Sequence, residues 1–87
     1  MKAFMLYRSD SEFARTAEEY VAEFKRVTGR DIELMDLNTV EGAEAARLYD
    51  VVQHPSLVII RDDGQLAQFW QGTPLPLMNE VLGYLNS

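Results

Sequence analysis

Cysteine is absent from the 87 residues, and histidine occurs once, as His54. Without a thiol there is no disulfide framework, no thiolate nucleophile and no cysteine-bearing metal site. One histidine among scattered carboxylates lacks the convergent spacing of a metal centre, so neither a metal nor a cofactor is expected. A domain this small buries only about 60 to 68% of its unfolded surface and often relies on disulfides or metals. This chain has to be held by packing, and it reads as a single domain spanning residues 1–87.

Positive charge is scarce as well. Two lysines and six scattered arginines stand against fourteen carboxylates, for a net charge of −6. Nucleic-acid sites cluster Lys and Arg to displace phosphate counterions, so no nucleic-acid partner is expected. No stretch approaches the roughly 20 apolar residues of a membrane span, and the apolar run opening at Met1 is stopped by Arg8 before it reaches signal-sequence length. The expectation is a cytoplasmic protein with no membrane partner.

What is present is an alternation of strand and helix signals. Lys2–Arg8 is almost continuously apolar, as for a strand covered on both faces. Ser9-Asp10-Ser11-Glu12 offers N-caps, with Ser9 and Glu12 at capping-box spacing. Phe13, Ala17, Tyr20, Val21, Phe24 and Val27 then recur at helical intervals until Gly29, which suits a left-handed C-terminal residue. Asp31–Leu37 alternates as a second strand, and a shorter helix over Val40–Tyr49 is capped by Asn38 or Thr39. Gly42 near its start lowers its helix propensity by up to about 1 kcal/mol.

Ser56–Arg61 is a buried, β-branched strand, Asp62-Asp63-Gly64 a hairpin turn, and Gln65–Gln71 the returning strand. Along that strand Leu66, Gln68 and Trp70 share one face and Ala67 and Phe69 the other. Thr73-Pro74 reads as a cap followed by proline at the first position of a last helix, whose apolar stripe is Leu75, Met78, Val81, Leu82 and Leu85. The order β-α-β-α-β-β-α predicts an α/β domain with a four-stranded mixed sheet and helices on both faces.

The residues of the second half add a more specific signal. Tyr49 and Val51 are followed after His54 by Pro55-Ser56, then by the apolar strand Leu57–Ile60, the turn glycine Gly64 and the glycine after the last strand, Gly72. This run resembles the C-terminal half of a thioredoxin or glutaredoxin, and the element order matches the glutaredoxin-sized form of the thioredoxin-like fold over nearly the whole chain. The resemblance implies that Pro55 is the family's cis-proline, with His54 in the preceding position, where the exposed backbone of family members binds an extended peptide or glutathione.

The resemblance also implies where the redox motif should sit. Aligning Tyr7 with the aromatic that ends the first strand puts the two cysteines of Cys-x-x-Cys at Ser11 and Ala14; a register one residue earlier, Asp10 to Phe13, is the other option. Neither holds a thiol, so no catalytic residue is assigned. Thiol–disulfide exchange needs a thiolate attacking a disulfide sulfur. Ser11 is a poor substitute, because a hydroxyl without a positioned base is not nucleophilic.

Three functions remain open at this point. The leading one is a non-catalytic, redox-inactive interaction module that binds an unidentified protein or extended peptide through Ser11, Phe13, His54, Pro55, Ser56 and Gly72. The alternative is a glutathione- or thiol-ligand-binding domain. Glutathione transferases carry a similar domain and steady their ligand with a Tyr or Ser hydroxyl; Gln53-His54-Pro55-Ser56-Leu57 is similar to their Gln-x-Pro-x-Leu-like segment, which would make Tyr7 or Ser11 the donor. Their acidic-Ser element has no match near Gly64–Gly72. The third is an assembly domain, present as a monomer or weak homodimer.

Overall fold

In the computed structural model, which describes residues 1–86, the chain forms β1 (Lys2–Tyr7), α1 (Ala14–Thr28), β2 (Glu33–Asp36), α2 (Val40–Leu48), β3 (Ser56–Ile60), β4 (Leu66–Gln71) and α3 (Met78–Leu85). The four strands lie in the order β2-β1-β3-β4. β1 runs parallel to β2, whereas β3 is antiparallel to both β1 and β4. The sheet is therefore mixed, as the element order predicts.

Strict alternation along the two central strands sorts their side chains into two cores. Ala3, Met5 and Tyr7 of β1 join Leu57 and Ile59 of β3, Ala17 and Phe24 of α1, and Val81 and Leu85 of α3. Leu6 joins Val58, Ile60 and Val51 on the opposite face, with Ala45, Ala46 and Tyr49 packed against them. Both faces are covered, which explains why β1 and β3 are continuously apolar after Lys2 and Ser56 instead of alternating with polar residues.

Several local expectations are corrected. The Ser9/Glu12 capping box does not form; α1 starts at Ala14, after Phe13, with no side-chain cap. Ser9 directs its N–H to the Asp36 carboxylate (3.4 Å) and Ser11 donates its hydroxyl to the Arg8 carbonyl (2.8 Å), so residues 8–13 are spent on a turn. Val27 is exposed, because Thr28 takes the half-buried place one turn beyond Phe24 and donates its hydroxyl to the Phe24 carbonyl (2.7 Å). Gly29 closes the helix in the left-handed region, φ +74°, where a Cβ is disfavoured.

The last helix begins at Met78 and not at Pro74. Leu75 precedes Pro76, and the residue before a proline is driven out of the α region, so the helix cannot run through Pro74 and Leu75; Leu77 is still extended, with ψ 141°. Ala67 packs with Trp70 in the α1/α3 core, while Phe69 packs on the α2 side. A β-bulge causes this: Ile59 pairs with Gln68 but Ile60 with Leu66, leaving Ala67 as the extra residue, and the alternation is broken there.

The segment before α3 is anchored by Tyr20, whose hydroxyl donates to the Pro76 carbonyl at 2.8 Å. Burial first, then the charge of Glu80, push this phenol from 10.0 to about 12. A folded-state pKa raised above the unfolded one contributes stability that is complete below pH 10 and is lost as pH rises toward 12. Tyr20→Phe is expected to lower the unfolding free energy by about 1 kcal/mol at neutral pH. It should also flatten the alkaline end of the stability profile; urea unfolding of both proteins between pH 8 and about 11 checks this, and parallel curves would contradict the anchor.

Candidate functional site at the His54–Pro55 loop

The topology brings three segments to one end of the sheet. β1 ends at Tyr7, and because Leu6 stands opposite Ser56, Tyr7 arrives one step further on, beside Pro55. The Pro55 carbonyl accepts from the Gly72 N–H at 2.9 Å, which joins the end of β4 to the same loop. The His54–Pro55 peptide is cis, and so is Thr73–Pro74 just beyond Gly72. Residues 8–13 hang from the end of β1 through two bonds to the Arg8 carbonyl, from the Ser11 N–H (3.1 Å) and hydroxyl (2.8 Å).

The loop is held by residues that lie outside its own sequence. The Gln71 side-chain carbonyl accepts from the N–H groups of Val52 (2.7 Å) and Gln53 (3.1 Å). Buried Ser56 donates its hydroxyl to the Gln53 carbonyl at 2.5 Å. Gly72 has φ +77°, so backbone shape calls for glycine; a Cβ there would meet only the movable end of the exposed Gln53 side chain, at 2.6 Å.

His54 is the exception within this framework. Val52, Gln53 and Pro55 all have backbone partners, but neither the N–H nor the C=O of His54 bonds within the described chain. Its Nδ1 is, among the described residues, the one buried side-chain nitrogen or oxygen atom with no hydrogen-bond partner. Such a group costs about 1–3 kcal/mol of desolvation that nothing among the described residues returns.

The remaining predicted residues are placed as follows. Tyr7 is buried, and burial first, then the charges of Glu18 and Asp36, raise its phenol above the ordinary 10.0, leaving it protonated at physiological pH. Ser11 spends its proton on its own turn. Phe13 is half-buried and its carbonyl receives the Ala17 N–H at 3.1 Å. Among the described residues no hydrogen bond joins Ser11 or Phe13 to the His54 loop; they share an end of the sheet, not a contact of that kind.

Two features were not singled out from the sequence. Gln71 fixes the loop, and its place opposite Ser56 is visible only once the β3–β4 register is known. Arg8 donates to the Asn38 side chain (2.9 Å), which donates in turn to Asp10 (3.1 Å), tying the turn before α1 to the connection after β2. Hydrogen bonding from Ser9, then from the Asn38 N–H, holds the Asp36 carboxyl below its usual range.

The fold recurs in known structures. Thioredoxin 1 from the thermophilic eubacterium Thermosipho africanus TCF52B aligns over 99% of this chain and 96% of its own, with a TM-score of 0.71 and 15% identity. The fold is thioredoxin-like. A malarial protein of known structure aligns over 97% of this chain and 91% of its own, with a TM-score of 0.68 and 13% identity. No family model and no curated protein matches the chain. A thioredoxin-like domain with no cysteine cannot perform thiol–disulfide exchange with its own residues. Among the described residues no helix is long and apolar enough to cross a membrane.

Proposed function

We propose that this thioredoxin-like domain is a redox-inactive interaction module that binds an extended segment of another protein along the His54–Pro55–Ser56 loop, flanked by Gly72 and by the turn holding Ser11 and Phe13. The observation that carries the reading is the unused hydrogen-bonding capacity of His54. Its backbone N–H and C=O have no partner among the described residues, while the residues on either side are tied down. An extended backbone supplies one acceptor and one donor at strand spacing and meets both needs without any chemistry.

Selection from a displayed peptide library, followed by amide-shift mapping of the selected peptides, tests this. The expected shifts fall on Ser11, His54, Ser56 and Gly72. Shifts confined to other surfaces, or no peptide selected at all, would remove the proposal. Reduced glutathione at millimolar concentration forms the second arm: localised shifts at the same four residues would move the site to the thiol-ligand class.

A further inference from the structure

The two faces of the sheet are covered unequally. α1 and α3, of 15 and 8 residues, cover one face, while α2, of 9 residues, alone covers the other. The part of α2 that packs on the sheet consists of Gly42, Ala45 and Ala46, so the helix lies close and leaves its flank open. A cleft of about 260 Å³ runs along that flank, with Phe4, Met35 and Tyr49 in its walls and Leu48 at its rim. Leu48 is 72% exposed.

The charges beside the cleft decide what fits there. Glu41 and Glu44 line it one turn apart, with no Lys or Arg among the lining residues, and among the described residues neither takes part in an ion pair. A second copy docked face to face would bring these carboxylates against their own equivalents in a chain already at −6, and like charges across an interface cost several kcal/mol. A groove between a helix and a sheet accepts an amphipathic helix whose apolar side chains recur at three- and four-residue spacing.

We infer that the cleft between α2 and β1/β2 is a second docking surface, built for a partner helix whose apolar stripe is bordered by lysine or arginine. Leu48 and the Phe4–Met35–Tyr49 wall take the apolar side chains, and Glu41 and Glu44 pair with the basic border. This surface is independent of the His54 loop.

The probe is a synthetic amphipathic helix of leucine and lysine, titrated into the labelled protein, with a leucine–glutamate helix of the same pattern as control. Amide shifts are expected at Phe4, Met35 and residues 41–49, weakening as salt rises. Affinity should fall by about tenfold or more in Leu48→Lys and in the Glu41→Lys/Glu44→Lys double variant. Leu48 is exposed, so its replacement leaves folding intact, which an unchanged urea midpoint confirms. Equal binding of the acidic helix, equal binding by the variants, or shifts centred on His54 would overturn the assignment. So would self-association in sedimentation that Leu48→Lys abolishes, since that makes the occupant a second copy.

Discussion

Phe24→Ala is expected to lower the unfolding free energy by about 3 to 5 kcal/mol, the range for removing a fully buried phenylalanine. Phe24 is 0% exposed in the α1/α3 core and stacks on Tyr20, with ring centroids 6.4 Å apart and planes 13° from parallel. Its removal therefore opens a cavity and also strips the packing from the residue that anchors the segment before α3. At roughly 0.05 to 0.15 kcal/mol per residue, an 87-residue domain holds about 4 to 13 kcal/mol in total. Losing this side chain takes a large share, and at the lower end of that range it unfolds the protein at room temperature. Urea unfolding with an unchanged slope is the measurement, and a loss under about 1.5 kcal/mol would mean that α1 does not dock as described.

Gly42→Ala is expected to destabilise the protein by about 1 to 3 kcal/mol, against the trend of helix propensity. Alanine is the better residue inside a helix by up to about 1 kcal/mol, so propensity alone predicts a gain. Space decides otherwise: a Cβ on Gly42 would stand 2.0 Å from the Asp36 carbonyl oxygen. That oxygen cannot move aside easily, since it receives both the N–H (3.0 Å) and the hydroxyl (2.6 Å) of Thr39, the residue that caps α2. Overpacking against fixed backbone outweighs the propensity term. Gly83, inside α3, meets nothing within 4 Å, and Gly83→Ala is expected to stabilise by about 0.5 to 1 kcal/mol. Opposite signs for the two variants in parallel thermal and urea unfolding are the required result. A gain for both would place α2 further from the β2–α2 connection than described.

Gly42 also illustrates what could be read in the sequence and what could not. As a letter in a helical segment it signals only a weak start; its tight fit against Asp36 depends on how α2 folds back on β2. The strands and helices themselves were legible because their signals are local. β1 and β3 are apolar runs bounded by turn residues, and α1 shows its inward stripe at Ala17, Tyr20, Val21 and Phe24. The departures arise where distant residues intervene. Asp36 draws Ser9 away from a cap, the β3–β4 bulge turns Ala67 to the other face, and Pro76 moves the start of α3. At the site, the Pro55 and Gly72 motif pointed to the loop and the resemblance implied an exposed backbone at His54, but the Gln71 clamp on its neighbours depends on the β3–β4 register and has no local signal.

The two hydrogen bonds that Gln71 accepts from the amides of Val52 and Gln53 have a consequence for how this surface can change over generations. The outline of the loop is set chiefly by a strand residue, nineteen positions further along in the case of Val52, with the Ser56 hydroxyl adding one bond from within. Val52 is 79% exposed and contributes nothing to that bond beyond its backbone. Substitutions there can alter what the loop presents without altering its shape, so a lineage can exchange one binding preference for another while the scaffold that displays it stays the same.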